Sequence, residues 1–285
     1  MIAADAFLHT ILEQPETDAP RLVYADWLDE QSDPLAELIR LQCQSAVLRD
    51  NDPRREPLDR RQQQMLEQFG MLWLGPVHEL GLVGRFRRGL LEVTVTGART
   101  LLDVADRLFA LPSVLHVNLR DGALDRDTMR ALAKSPIFTR VRSLDLQRSH
   151  ITNDGIQILC NSRFHPRLAK LKLGHTQIST LAIRLLVGAF DLSSLVELIL
   201  HFNGIGAGGA RHLAKCPQLT RLRVLDLSNN RILSEGAEYL AESQYLNHLH
   251  RLDVRGNNIR RSAKRGLRSR FGPRVQISNS SYYSF

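Results

Sequence analysis

The 285 residues are 43% hydrophobic and 24% charged, the balance of a soluble chain long enough for one large domain or two modest ones. Only 6% are aromatic, so leucine carries the core, and the formal charge of +8 is polarised: residues 1–42 hold nine acids against Arg21 and Arg40, whereas residues 251–285 hold nine bases against Asp253 alone. No stretch approaches 18 apolar residues, which excludes a membrane-spanning helix, and "MIAADAFLHTILEQPETD" lacks a basic start and a sustained apolar run, so no secretory leader is expected. Cys43, Cys160 and Cys216 are odd in number and form no CxxC pair. Reduced thiols, and a cytoplasmic location, are the expectation.

In chain order, "DAFLHTILEQ" places Phe7, Leu8, Ile11 and Leu12 on one helical stripe, which "PETDAP" ends. Pro20 opens a second helix whose Leu22, Leu28 and Trp27 are expected to form a small core, with Asp26, Asp29 and Glu30 on a solvated face. Asp33 and Pro34 read as the N-cap and first residue of a third helix through Leu35, Leu38, Ile39 and Ala46. "RDNDPRREP" reads as a polar hinge and "LDRRQQQMLEQFGMLWLG" as a fourth helix. The stretch "FLHTILEQPETDAPRLVYADWLDEQSDPLAELIRLQ", with its "RLVYADWLDE" core and "IRLQ" ending, resembles the repeat-companion domain of planctomycete proteins. That resemblance implies an all-α module standing in front of repeats and a bacterial lineage; it implies no reaction.

"GRFRRGLLEVTVTG" alternates Leu91, Val93 and Val95 and predicts one capping strand, followed by a helix over "ARTLLDVADRLFAL". Six related octets then start at 117, 144, 171, 198, 225 and 252, each 27 residues after the last, from "VNLRDGAL" to "LDLSNNRI" and "LDVRGNNI". Each opens with an apolar-x-apolar strand and closes in a helix, as in "GGARHLAKCPQL". Asn203, Asn230 and Asn257 are placed to bond backbone as the chain leaves the strand; Gly122, Ser149 and Thr176 stand there in the earlier units. This pattern resembles the leucine-rich repeat, and its period resembles the ribonuclease-inhibitor-like subclass. The fold class expected is therefore α/β: a solenoid with short parallel strands on a concave face and helices on a convex face, behind an N-terminal all-α module. The expected divisions are a helical module over 1–75, a capping strand and helix over 76–112, six repeats with a C-terminal cap over 113–275, and a tail over 276–285. "NIRRSAKRGLRSRFGPRVQIS" predicts a basic helix, a Gly272-Pro273 turn and a last edge strand, and "NSSYYSF" a frayed end.

Chemistry finds little footing. The Asp26, Asp29 and Glu30 acids have the spacing of a solvated helix face, no third ligand is fixed for His175 with His201 or His248 with His250, and "FNGIGAGGA" lacks a P-loop ending. No enzyme, cofactor or metal is expected. On the strand face, residues between the inward leucines point outward; most are polar, and Ile199 with Phe202, backed by Val224, is the apolar exception. With Lys172, His175, Glu197, His201, Asp226 and Arg251 around it, this reads as the surface for a protein partner, or else Phe202 tucks into the turn as core. A second reading gives a polyanion such as nucleic acid to Arg260, Arg261, Lys264, Arg265, Arg268 and Arg270. A third joins the acidic front of one chain to the basic end of another, so monomer or weak self-association is expected, and no membrane contact.

Overall fold

The computed structural model describes residues 6–7, 10–11, 17–111, 113–121, 124–163 and 167–278; expectations resting on Leu8, Leu12, Gly122 and the tail from 279 onward lie outside them. The chain forms two compact units, one of residues 1–95 with 104–116 and one of residues 96–103 with 117–285.

The first unit contains helices α1 (Ala19–Glu30), α2 (Leu35–Ala46) and α3 (Arg55–His78) and strands β1 (Val83–Arg87) and β2 (Leu90–Thr96). Ile11, Tyr24, Ala25, Leu28, Ile39 and Leu90 make its core, with Phe7 and Trp27 packed on the rim. The buried face of α1 is Arg21, Tyr24, Ala25 and Leu28, a helical i, i+3, i+4, i+7 stripe. Leu22 falls one position off that stripe and is 39% exposed, so its assignment to the core is corrected. Arg21 occupies the inward position because its guanidinium reaches backbone acceptors, donating to the Thr17 carbonyl at 2.5 Å and the Arg88 carbonyl at 3.1 Å. Asp33 does serve α2, its Oδ1 accepting the Leu35 N–H at 2.9 Å.

Two further elements differ from the sequence reading. Helix α3 starts at Arg55, inside the expected hinge, because Asp52 accepts the Arg54 N–H through Oδ1 and the Arg55 N–H through its carbonyl. Pro57 then lies in the first turn, where its missing N–H costs nothing. The expected single capping strand is a hairpin: β1 and β2 pair antiparallel from Val83↔Thr94 to Arg87↔Leu90. Arg88 and Gly89 turn it with φ of +46° and +77°, the conformation that suits a two-residue turn to strand twist. A Cβ on Gly89 would come within 2.5 Å of Ile39.

Helix α4 (Ala98–Phe109) and strand β3 (Ser113–Asn118) are shared between the units. The second unit continues with α5 (Arg126–Lys134), β4 (Val141–Asp145), α6 (Thr152–Cys160), β5 (Lys170–Lys172) and α7 (Thr180–Ala189). It ends with β6 (Glu197–Ile199), α8 (Gly206–Ala214), β7 (Val224–Asp226), α9 (Leu233–Glu242), β8 (Arg251–Asp253), α10 (Arg261–Phe271) and β9 (Val275–Gln276). The strands from β4 to β9 pair in sequence order, all parallel, and Leu144, Leu171, Leu198, Leu225 and Leu252 stand opposite one another. That register is the 27-residue period made physical: equivalent leucines stack and none is more than 3% exposed. Slipping a strand by one residue would turn every leucine out. The helices close the other side with Met129, Leu132, Ala210, Leu213, Ala237 and Leu240, all buried.

The asparagines knit the turns. Asn257 Oδ1 accepts the Asn230 and Ile232 N–H groups at 2.9 and 3.1 Å, and its Nδ2 donates to the Leu227 and Val254 carbonyls at 2.8 and 3.0 Å. Asn203 does the same for Thr176, Ile178, Leu173 and Leu200. Ser149 and Thr176 bond inward, from their hydroxyls to the Leu146 and Leu173 carbonyls, and the Thr176 hydroxyl also lies 3.3 Å from Asn203 Oδ1 of the next unit.

Candidate functional site

One backbone feature builds the candidate surface. Asp121, Arg148, His175, Phe202, Asn229 and Gly256, spaced 27 apart, all adopt a left-handed conformation with φ between +54° and +69°. Each donates its N–H to the carbonyl of the next unit's strand exit, for example His175 to His201 at 3.0 Å and Phe202 to Ser228 at 2.9 Å. The ladder of cross-unit bonds holds five non-glycine residues where L side chains are disfavoured by about 1–2 kcal/mol each. It also sets their side chains in a row.

In the middle of that row the rings meet. His175 and Phe202 stack with centroids 4.3 Å apart and planes 16° apart. His201 sets its edge against both, at 5.4 Å and 80° to His175 and 5.9 Å and 89° to Phe202. Room for the His201 ring comes from Gly174, where a Cβ would lie 2.4 Å from Nε2. On its other side His201 Nδ1 lies 3.5 Å from Asp226 Oδ2, longer than a hydrogen bond. Asp226 Oδ1 accepts the Ser228 N–H at 2.9 Å and hydroxyl at 2.7 Å. Burial alone would raise the Asp226 carboxyl, but the His201 ring and the two Ser228 donors outweigh it and hold the group below the ordinary carboxylate range. Burial, helped by the nearby His201, Arg148 and Arg120, lowers His175 below its ordinary value.

Strand register places the remaining predicted residues around this cluster. Lys172, Ile199 and Asp226 are direct neighbours across β5, β6 and β7, as are Glu197, Val224 and Arg251 across β6, β7 and β8. Ile199, Phe202 and Val224 are half-buried. Glu197 lies 3.5 Å from Lys170 and 3.7 Å from Lys172. Asp253, read from the sequence as pointing out of this face, is 1% exposed under Arg251 and Arg255; paired with both, it is covered by them. Two buried side-chain atoms of the second unit have no hydrogen-bond partner among the described residues, His201 Nδ1 and Asn229 Nδ2. Both belong to this patch.

The alternative basic surface is α10, which buries Ala263, Leu267 and Phe271. Arg260, Arg261, Arg265 and Arg268 are exposed and make no ion pair among the described residues, while Lys264 is half-buried and Arg270 reaches the Asn247 side chain and the Ser243 carbonyl. At the other end the acids are met locally: Asp26 and Asp29 pair with Arg40, Glu37 with Arg61 and Asp18 with Arg88.

Among the described residues no group of His, Cys, Asp and Glu could hold a metal, and no helix is long and apolar enough to cross a membrane. The left-handed row was the part sequence reading missed; its overt signals are Asp121, Asn229 and Gly256, residue types that tolerate that conformation.

No curated protein matches the chain. A family model described as Leucine Rich repeat matches residues 218–241 and 245–260, which include the β7–α9 unit and strand β8. Repeats of that family are in general non-catalytic modules for binding other proteins. The family match and the recurring strand–helix unit in a 27-residue register together support a leucine-rich repeat protein.

Proposed function

We propose that this chain is a non-enzymatic interaction scaffold of the cytoplasm, whose strand face holds a protein partner at Lys172, His175, Glu197, Ile199, His201, Phe202, Val224, Asp226 and Arg251. The observation that carries the reading is the coincidence of three features around β5–β7: stacked rings, half-buried aliphatics, and the second unit's two buried polar atoms that have no hydrogen-bond partner among the described residues. Each such atom costs about 1–3 kcal/mol when left unmet, and unmet groups concentrate where a structure serves something other than its own stability. Aromatic anchors ringed by polar groups supply most of the energy in protein interfaces. The 27-residue period and full helix per unit favour the ribonuclease-inhibitor-like subclass, and residues 1–75 serve as its repeat-companion module.

The test is affinity capture from the native cell extract with the wild-type chain and with an Ile199→Ala/Phe202→Ala variant of unchanged circular dichroism. Proteins held by the first and lost by the second support the reading; an unchanged set overturns it. A second reading rests on Arg260, Arg261, Arg265 and Arg268 at and along α10, exposed and without an ion pair among the described residues. If that helix takes nucleic acid, mixed-sequence oligonucleotides bind with steep salt dependence, lost on changing Arg261, Arg265 and Arg268 to Gln.

A further inference from the structure

On β5 to β8 the acids are sunk and the bases stand out. The side chains of Glu197, Asp226 and Asp253 are 22%, 15% and 1% exposed, whereas those of Lys170 and Arg251 are 47% and 51% exposed. Each acid is also answered by its own chain. Glu197 lies beside the Lys170 and Lys172 ammonium groups, and Asp226 holds both Ser228 donors. Asp253 takes the Arg255 backbone N–H at 3.1 Å and its guanidinium Nε at 2.9 Å. Two lysines therefore face one glutamate at the first edge of the patch, and two arginines face one aspartate at the other. Lys170, Lys172 and Arg251 donate no side-chain hydrogen bond among the described residues; their carboxylate contacts, at 3.5, 3.7 and 3.7 Å, are longer than one. Farther along the face the exposed acid Asp121 is likewise outnumbered, by Arg120 at 3.4 Å and Arg148 at 4.0 Å.

Register fixes the distance between the two cationic ends. Lys170, Glu197, Val224 and Arg251 are successive neighbours across β5, β6, β7 and β8, so Lys170 and Arg251 are three strand spacings apart, roughly 14 Å. Between them Ile199 and Val224 are apolar and half-buried. Four residues of extended chain span roughly 13 Å, and alternate side chains of such a chain point the same way. Resting on the partner-binding reading of this face, we propose that it takes an extended acidic peptide segment of the pattern acid–x–apolar–x–acid. One carboxylate meets Lys170 and Lys172, the apolar side chain covers Ile199 and Val224, and the second carboxylate meets Arg251. Glu197 and Asp226 lie under the middle of the segment, where an apolar residue is tolerated and another negative charge is not. A nucleic acid strand carries a charge on every nucleotide and would set phosphates over those two carboxylates.

The probe is the synthetic heptapeptide Gly-Glu-Ser-Phe-Ser-Glu-Gly, blocked at both ends, titrated into the full chain and followed by amide proton–nitrogen shifts. The expected result is a saturable shift of signals on β5–β8 and the turns after them, with an apparent Kd that rises with salt. Lys170→Gln and Arg251→Gln, at exposed positions, should each weaken binding about two- to fivefold, the span of one exposed ion pair, with the unbound spectrum otherwise in place. Charge exchange isolates the pairing: Arg251→Glu should reject the peptide and accept one in which a single Glu is replaced by Lys. Equal or tighter binding of Gly-Lys-Ser-Phe-Ser-Lys-Gly at the same signals overturns the acidic specification and leaves the face a docking surface. Tighter binding of oligothymidylate at those signals overturns it in favour of nucleic acid. No shift at millimolar glutamate peptide overturns the segment, whereas the docking reading falls only if capture is unchanged by Ile199→Ala/Phe202→Ala.

Discussion

Replacing Asn257 by alanine strikes the bond pattern that holds one turn of the solenoid to the next. In the native chain its amide oxygen meets two backbone N–H groups, of Asn230 and Ile232, and its nitrogen meets the Leu227 and Val254 carbonyls, with all the side-chain atoms buried. Alanine leaves both N–H groups without that partner in a site 1% exposed. At about 1–3 kcal/mol for each abandoned donor, the loss is about 2–6 kcal/mol, a large part of a stability of about 5–15 kcal/mol. Ser149→Ala removes a single bond, from the hydroxyl to the Leu146 carbonyl, and should cost about 1 kcal/mol. Urea unfolding followed by circular dichroism compares the two at equal slope. If Asn257→Ala costs no more than Ser149→Ala, the turns are held by leucine stacking alone and the ladder argument fails.

Other consequences are equally open to measurement. Leu198→Ala, in the middle of the stacked leucines, should cost about 2–5 kcal/mol in the same urea assay, whereas Leu22→Ala, 39% exposed on α1, should stay within about 0.5 kcal/mol. Arg21→Ala should cost more than Leu22→Ala, because the Thr17 and Arg88 carbonyls lose their donor. His175 is lowered from its ordinary 6.5 by burial first and by nearby cations second, so the unfolded chain binds its proton more readily. Stability should fall as pH drops through 6.5, and His175→Phe should flatten that slope. Asp226, lowered in the folded state, acts below the ordinary carboxylate range: its contribution is lost as pH falls through its folded value, and Asp226→Asn should remove that acid-side loss. Burial pushes the Cys160 thiol up to about 12 and the Cys43 thiol up to about 11. Neither should react with a thiol reagent at pH 8 until the chain unfolds.

Legibility followed the range of the interactions. The second unit could be read because each leucine faces its counterpart 27 residues on, a regularity that any repeat array prints into its sequence. The first unit was harder, since Arg21 replaces an apolar residue on the buried face of α1 only by reaching carbonyls at Thr17 and Arg88. The hairpin turn at Arg88-Gly89 hid because arginine is an uncommon residue at positive φ. The same blindness applied to the row from Asp121 to Gly256, where cross-unit hydrogen bonds impose a conformation that Arg148, His175 and Phe202 do not prefer. The residues around Ile199 were named from alternation along the strands, but the stacking of His175 on Phe202 and the depth of His201 depend on that hidden row and on Gly174.

The central claim is that the strand face at β5–β7 is where a partner sits. A photo-crosslinking amino acid placed at Ile199, on β6, and in parallel at Arg184, on α7, tests it in the native extract. The account predicts a discrete crosslinked species from position 199, absent from position 184 and lost when Phe202 is changed to Ala. Equal crosslinking from both positions, or a species from position 184 alone, would contradict it.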